Sequence, residues 1–349
     1  MSDSPYIWQL AVWSQLNALA PNLPHALLFH GTEGIGKVDF AMIFARSLLC
    51  EARKNDGASC GICLSCGWFS QRSHPDFRMI RPEILDDGDA VESEENADTD
   101  SKKPPKNTIK PTKAPSKEIR IEQVRALSAF MNLSTHRSGK RVVIIYPAES
   151  LNNASANALL KTLEEPPPDT VILMCSNRPD RLLPTIVSRC RKVPMPMPDR
   201  GQSLEWLKEQ GVADAEIWLD EQGGSPLSAK NQSITGDRKI LDDFLEQLAT
   251  PGRESALAVA ERLQKVPVSE LVAWLQRWLY DVFSYKLSGT IRYYPRYRKQ
   301  IELRARHGSL EGLMHGLKSA AQRRAIAEHP LSAKLFIEDM LLDYVRIFS

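Results

Sequence analysis

Two hydrophobic rhythms alternate along the first 200 residues, and one of them takes over afterwards. Over residues 6–20 the side chains of Tyr6, Trp8, Leu10, Trp13, Leu16 and Leu19 recur at helical spacing, and Pro21 closes that helix. The next apolar run, Ala26-Leu27-Leu28-Phe29, is short and continuous, and leads into a second helical pattern through Phe40, Ala41, Ile43, Phe44 and Leu48-Leu49. His74 to Ile80 reads as a turn and a second strand, and apolar residues at 121, 124, 127 and 130 mark a helix. The segments Arg141-Val142-Val143-Ile144-Ile145-Tyr146-Pro147 and Thr170 to Asn177 lack polar alternation. A strand of that kind is buried on both faces, as in a parallel sheet. Between them, Ser155 to Glu164 is helical and stopped by Pro166-Pro167-Pro168.

Past Pro194, Pro196 and Pro198, which read as a linker, only the helical rhythm remains. Leu204, Trp206, Leu207 and Ile217-Trp218-Leu219 belong to a small helical piece broken by Gly223-Gly224. From Leu241 onward Phe244, Leu248, Leu257, Val259, Leu263, Leu271, Trp274, Leu275, Trp278 and Leu279 predict an all-α domain. The division is therefore 1–197, 198–243 and 244–349. One stretch fits neither rhythm: Glu83 to Asp100 is acidic, and Lys102 to Lys117 is rich in lysine and proline. So few apolar side chains cannot offset the entropy of ordering, so residues 83–117 are expected to be a disordered insert within the first domain.

Composition narrows the class. With 349 residues, 42% hydrophobic and 25% charged, the chain is an ordinary globular protein with room for several cores, not a fibrous or wholly disordered one. Its apolar runs are too short to span a bilayer, and Met1-Ser2-Asp3-Ser4-Pro5 has no leader pattern, so a cytoplasmic location without membrane contact is expected. A net charge of +2 offers no general field for nucleic acid. Locally, Lys286 to Arg324 holds ten Lys or Arg against two Glu, interleaved with Tyr293, Tyr294 and Tyr297. That mixture could track a nucleic-acid strand, but a solvated helical face with tyrosines at a subunit contact accounts for it more simply.

Three stretches carry candidate chemistry. His30-Gly31-Thr32-Glu33-Gly34-Ile35-Gly36-Lys37-Val38 lies between a strand and a helix, as a phosphate-binding loop does: Gly31, Gly34 and Gly36 free the backbone amides, and Lys37 reaches the outer phosphates. Val38, however, stands where a hydroxyl would hold Mg²⁺, and Tyr146 and Pro147 stand where acidic residues would hold the metal and orient water. Cys50, Cys60, Cys63 and Cys66 supply four thiolates within seventeen residues on a glycine-bearing loop, which suits tetrahedral structural Zn²⁺; free thiols in a packed loop are the alternative. Cys175 and Cys190 read as small buried apolar residues. Finally, Ser188-Arg189-Cys190 follows Pro184-Thr185-Ile186-Val187; alone, such an arginine is a surface charge or a salt-bridge partner.

The phosphate loop, the segment Asn157 to Pro167 and the Ser188-Arg189-Cys190 triplet together resemble the clamp-loader ATPases of the AAA+ class, over essentially the whole chain. The resemblance implies a RecA-like α/β domain carrying a four-cysteine zinc module, a small helical lid, and a helical collar that joins a hetero-pentamer. It implies partners as well: motor subunits (gamma or tau), a delta subunit, and, through the complex, a sliding clamp and primed DNA. It further implies that Arg189 acts as an arginine finger in a neighbour's ATP site, that Cys50, Cys60, Cys63 and Cys66 hold zinc, and that Ser176-Asn177 occupy a polar sensor position. Relative to active members the chain departs at Val38, Tyr146, Pro147 and Leu227, the last standing where a lid arginine senses phosphate. No independent ATPase activity is expected, and whether the altered loop holds ATP is left open. An autonomous P-loop ATPase and a zinc-dependent DNA-binding protein are the competing readings.

Overall fold

The structure is a computed structural model and describes residues 4–85, 115–131, 135–136, 139–327 and 332–348. These residues divide into two compact units, Met1–Met197 and Pro198–Ser349.

The first unit is built on a parallel sheet of β1 (Ala26–His30), β2 (Phe77–Ile80), β3 (Arg141–Ile145), β4 (Thr170–Ser176) and β5 (Arg191–Pro194), in the order β2-β3-β4-β1-β5. The uninterrupted apolar runs have a simple cause. In β1, Leu27 and Phe29 face one hydrophobic cluster while Ala26 and Leu28 face another. Val142 and Ile144 alternate in the same way with Val143 and Ile145, as do Leu173 and Cys175 with Ile172 and Met174. Helices α1 (Leu10–Leu19), α2 (Lys37–Leu49) and α3 (Leu64–Ser70) supply the first cluster. The second takes side chains from α4 (Ile121–Met131), α5 (Asn153–Glu164) and α6 (Pro184–Arg189). With both faces covered, the interior positions of β1, β3 and β4 are apolar, and the polar residues His30, Arg141, Thr170 and Ser176 stand at the strand ends.

Two expectations need correction here. The linker expected at Pro194, Pro196 and Pro198 starts later, because Pro194 ends a strand, Arg191 to Pro194, that pairs with β1 from Leu27↔Arg191 to His30↔Pro194. As an edge strand it buries only Val193 and tolerates a proline, so its sequence carries no apolar run. Within the cysteine stretch, residues 64–70 form α3, with Cys63 as its N-cap, so the segment is not loop throughout. Most of the acidic and lysine-rich insert, residues 86–114, lies outside the described residues. Its two ends meet, because Ile84 donates its amide to the Ser116 carbonyl at 3.1 Å and Glu83 accepts from the Ser116 amide at 2.8 Å and from Arg120 at 3.0 Å. These contacts order Glu83–Leu85 and residues 115–117, which the composition alone had assigned to the insert.

The second unit is all α: α7 (Arg200–Glu209), α8 (Ala215–Glu221) and α9 (Pro226–Thr235), then α10 (Arg238–Ala249), α11 (Arg253–Leu263), α12 (Val268–Ser288), α13 (Arg298–His307), α14 (Leu310–Ile326) and α15 (Ala333–Arg346). The first three pack around Leu207, Trp218, Leu219 and Ala229. The remaining six share a core around α12, where Trp278 donates to the Tyr344 hydroxyl at 2.8 Å and that hydroxyl donates to the Leu248 carbonyl at 2.6 Å. Asp281, fully buried on α12, accepts from the amides of Arg292, Tyr293 and Tyr294 and draws that segment inward. In consequence Tyr294 is a core residue, and Tyr297 stacks edge-on against Trp278 while donating to Asp242. Tyr294 is therefore interior packing, while Tyr293 and Tyr297 are half-buried against the same core.

Glu221 at the end of α8 ties the two helical groups together. It is 3% exposed, accepts from Arg238 at 2.7 Å and lies 3.7 Å from Arg296. Burial pushes its carboxyl up to about 7, against the pull of Arg238, Arg296 and Arg277 and with the push of Asp242. A folded-state pKa above the unfolded one means that below about pH 4.5 the group is protonated in both states. Between there and about pH 7 the unfolded chain releases the proton while the folded chain keeps it, so stability falls as pH rises across that window. We expect this contribution to reach about 3 kcal/mol. Denaturant titrations from pH 4.5 to 8 should register it for the native chain and lose it in Glu221→Gln.

Candidate functional site

The phosphate loop stands at the carboxyl end of β1, where ligands of open parallel sheets bind. Its path is held from outside. Trp8 Nε1 donates to the Ile35 carbonyl at 3.0 Å, and Gln9 Nε2 donates to the carbonyls of Ile35 and Gly36 at 2.9 Å each. Gly36, the N-cap of α2, has φ +83°, and a Cβ there would lie 2.6 Å from the Tyr6 ring; only glycine fits. The loop's own ligand is internal: Lys37 is buried and its Nζ donates to the carbonyls of Gly31 at 3.0 Å and Thr32 at 2.6 Å. Burial pushes the Lys37 pKa down, and the charges of Glu33 and Glu149 oppose that.

Around this loop the metal-holding positions are apolar. Val38 and Tyr146 both pack against the hydrophobic cluster formed by α1, α2 and one face of the sheet. Burial raises the Tyr146 hydroxyl pKa, which keeps it neutral. Pro147 precedes a turn, Ala148–Ser150, from which Glu149 Oε1 accepts the amide of Asn177 at 3.0 Å. Ser176 and Asn177 thus end β4 beside the loop, as expected from sequence, but Glu149 was not anticipated; its only signal was an acid two residues beyond Pro147.

The four cysteines come together. Cys50 caps the end of α2, Cys63 caps the start of α3, and the four sulfurs lie within 4.8 Å of one another, with Cys50–Cys63 and Cys60–Cys66 each at 4.0 Å. A tetrahedral ion with bonds of about 2.3 Å needs sulfurs about 3.8 Å apart, so the cage can hold a metal ion. Backbone amides point at the sulfurs: Cys60 N to Cys50 Sγ at 3.2 Å, Cys63 N to Cys60 Sγ at 3.3 Å and Cys66 N to Cys63 Sγ at 3.4 Å. The amides of Ile62 and Cys63 draw the Cys60 thiol down to about 6, whereas burial pushes Cys66 up to about 12. The cage is braced against β2 by Ser65 and His74, 2.6 Å apart and both buried. Because His74 Nδ1 accepts the Asp76 amide at 3.0 Å, its Nε2 carries the proton and donates to Ser65.

Arg189 is the last residue of α6, and its side chain is 34% exposed. Its Nη1 donates to the Thr185 carbonyl at 2.9 Å and its Nη2 to Glu164 Oε1 at 2.5 Å. A cavity of about 740 Å³ opens beside it, lined by Leu182, Pro184, Val187, Ser188, Cys190 and Lys192 among others. Leu227, in the first turn of α9, belongs to the second unit.

The parallel order β2-β3-β4-β1-β5, with a phosphate loop after β1 and no metal-holding side chain at positions 38, 146 or 147, defines a RecA-like domain of nucleotide-hydrolase design whose own hydrolytic set is incomplete. Residues 10–199 match the family model described as DNA polymerase III, delta subunit, and residues 237–345 match the model for the C terminal of that subunit. A Pseudomonas aeruginosa DNA polymerase III subunit delta' is 35% identical over 81% of this chain and 78% of its own length. DNA polymerase III subunit tau of Salmonella typhimurium is 30% identical over 70% of this chain and 36% of its own. Among solved structures, a DNA polymerase III gamma subunit-related protein from Thermotoga maritima aligns over 97% of this chain and 99% of its own, at 17% identity and TM-score 0.45. The chain belongs to the family of DNA polymerase III delta' subunits. Among the described residues no helix is long and apolar enough to cross a membrane.

For the cysteine cage we expect about one bound metal ion per chain by elemental mass spectrometry. Replacing Cys60 and Cys63 together by serine should abolish it and open the 50–70 segment to proteolysis, since metal binding and local folding are coupled.

Proposed function

We propose that this delta' subunit works in the DNA polymerase III clamp loader as a member that does not cleave ATP. It serves as a stator and lends Arg189 to the ATP site of an adjacent motor subunit. One contrast within the first unit carries this reading: Val38 and Tyr146 are packed into the apolar cluster, while Arg189 ends a helix at the surface beside an open cavity.

The chemistry runs as follows. Cleaving ATP in a phosphate loop needs a hydroxyl and a carboxylate on Mg²⁺ and a group that orients water. Valine and proline offer no oxygen donor, and the Tyr146 hydroxyl, kept protonated by burial, does not replace a carboxylate. Lys37 is already bound to its own loop carbonyls, and Glu33 and Glu149 place negative charge where phosphates would come. A guanidinium by contrast cannot deprotonate and presents five donors, so it can stabilise charge developing on a γ-phosphate held by another chain. Such a group is worth on the order of 10³ to 10⁵ in rate at the site it enters.

In this reading residues 1–197 are the ATPase-like domain, 198–243 a lid and 244–349 a collar within a cytoplasmic hetero-pentamer. The motor neighbours are gamma or tau subunits and a delta subunit completes the ring; the sliding clamp and primed DNA are met through the complex. Similarity to a tau subunit over 70% of the chain supports a shared architecture with such a neighbour. The cysteine cage holds structural Zn²⁺, since four soft ligands leave no open position for chemistry.

Two measurements test the proposal. The purified chain alone should give no ATP turnover above background, and Val38→Thr should not restore it because Tyr146 and Pro147 remain. In the reconstituted loader, Arg189→Ala should lower DNA-stimulated ATP hydrolysis severalfold while the assembly still elutes as one complex. An unchanged rate would remove the role assigned to Arg189.

A further inference from the structure

Arg189 is not free in its resting position, and what holds it belongs to another helix. Helices α5 and α6 share the core around Leu159, Leu163 and Ile186, which fixes the last turn of α5 beside the end of α6. Pro166, Pro167 and Pro168 stop α5 just beyond that point, leaving Glu164 in its final turn. The carboxylate of Glu164 takes Arg189 Nη2 at 2.5 Å, and the Thr185 carbonyl, one helical turn back, takes Nη1 at 2.9 Å.

From this geometry we infer that Glu164 is a positioning residue for the arginine finger; the inference rests on the finger role given to Arg189 above. The two contacts occupy two of the five guanidinium N–H groups and leave three for an incoming phosphate. Both anchors lie on this chain and on packed helices, so the group is oriented before the neighbour's nucleotide arrives. An arginine without them samples many rotamers, and each encounter must then select the productive one. The pair is also half open to water, with Glu164 50% and Arg189 34% exposed. An exposed pair of this kind adds little to stability, so its effect should appear in turnover rather than in folding.

The test uses the reconstituted loader on primed DNA. Glu164→Ala should lower kcat for DNA-stimulated ATP hydrolysis by about 3- to 30-fold, less than Arg189→Ala, with KM for ATP and complex assembly unchanged. Glu164→Gln, which keeps an acceptor oxygen but no charge, should recover part of the loss. A double Glu164→Ala, Arg189→Ala variant should match Arg189→Ala alone, because Glu164 acts through the arginine. If Arg189→Ala lowers turnover but Glu164→Ala leaves it unchanged or raises it, the positioning role is wrong and the finger role stands; a rise would mean that Glu164 restrains the finger. A further loss in the double variant also overturns it. If Arg189→Ala itself has no effect, both fall together.

Discussion

Burial of β1, β3 and β4 on both faces is the constraint from which the behaviour of the nucleotide cleft follows. A strand in that position has no solvent-facing side, and its flanking loops begin where two apolar clusters close. An active ATPase keeps polar metal ligands at that boundary and hydrates them through the ion. This chain extends the apolar cluster outward instead, through Val38 and Tyr146, and ties Lys37 to the carbonyls of its own loop. The loop is held in shape by Trp8 and Gln9, which bind the carbonyls of Ile35 and Gly36 from outside.

In the role proposed for Arg189, chemistry lies at the edge of the domain rather than in the cleft. Arg189, Glu164 and the cavity lined by Leu182 and Lys192 lie on α5, α6 and the edge strand β5, not on the phosphate loop. The cysteine cage occupies a third place, at the junction of α2 and α3, and is joined to β2 by the Ser65–His74 bond.

How much of this was readable in the sequence follows from how each feature is encoded. Strands buried on both faces leave an unmistakable apolar run, and β1, β3 and β4 were legible for that reason. The edge strand β5 was not, since Arg191, Lys192 and Pro194 face outward and only Val193 enters the core. Helix α3 was hidden because its first turn is written in cysteine, serine and glycine, whose spacing reads as a ligand loop. The clustering of the four cysteines was legible from their spacing, and the lack of an acid at 146 and 147 and of a hydroxyl at 38 from the residue types themselves. Glu164 and Glu149 were not, because a partner supplied by another element leaves no local pattern. The burial of Tyr294 was not legible for a related reason: the buried acceptor that draws it inward, Asp281, stands thirteen residues earlier on α12.

The brace beneath the cysteine cage has a consequence for recognising function by geometry. Ser65, His74 and Asp76 are buried together, the serine 2.6 Å from the imidazole, and by residue type they would match a template for an acyl-transfer triad. The polarity is reversed. Asp76 offers His74 its backbone amide, while its carboxylate turns away to accept the amide of His136 at 3.0 Å. The imidazole therefore points a proton at the serine and cannot remove one, and the same three side chains that activate a nucleophile elsewhere serve here as a strut.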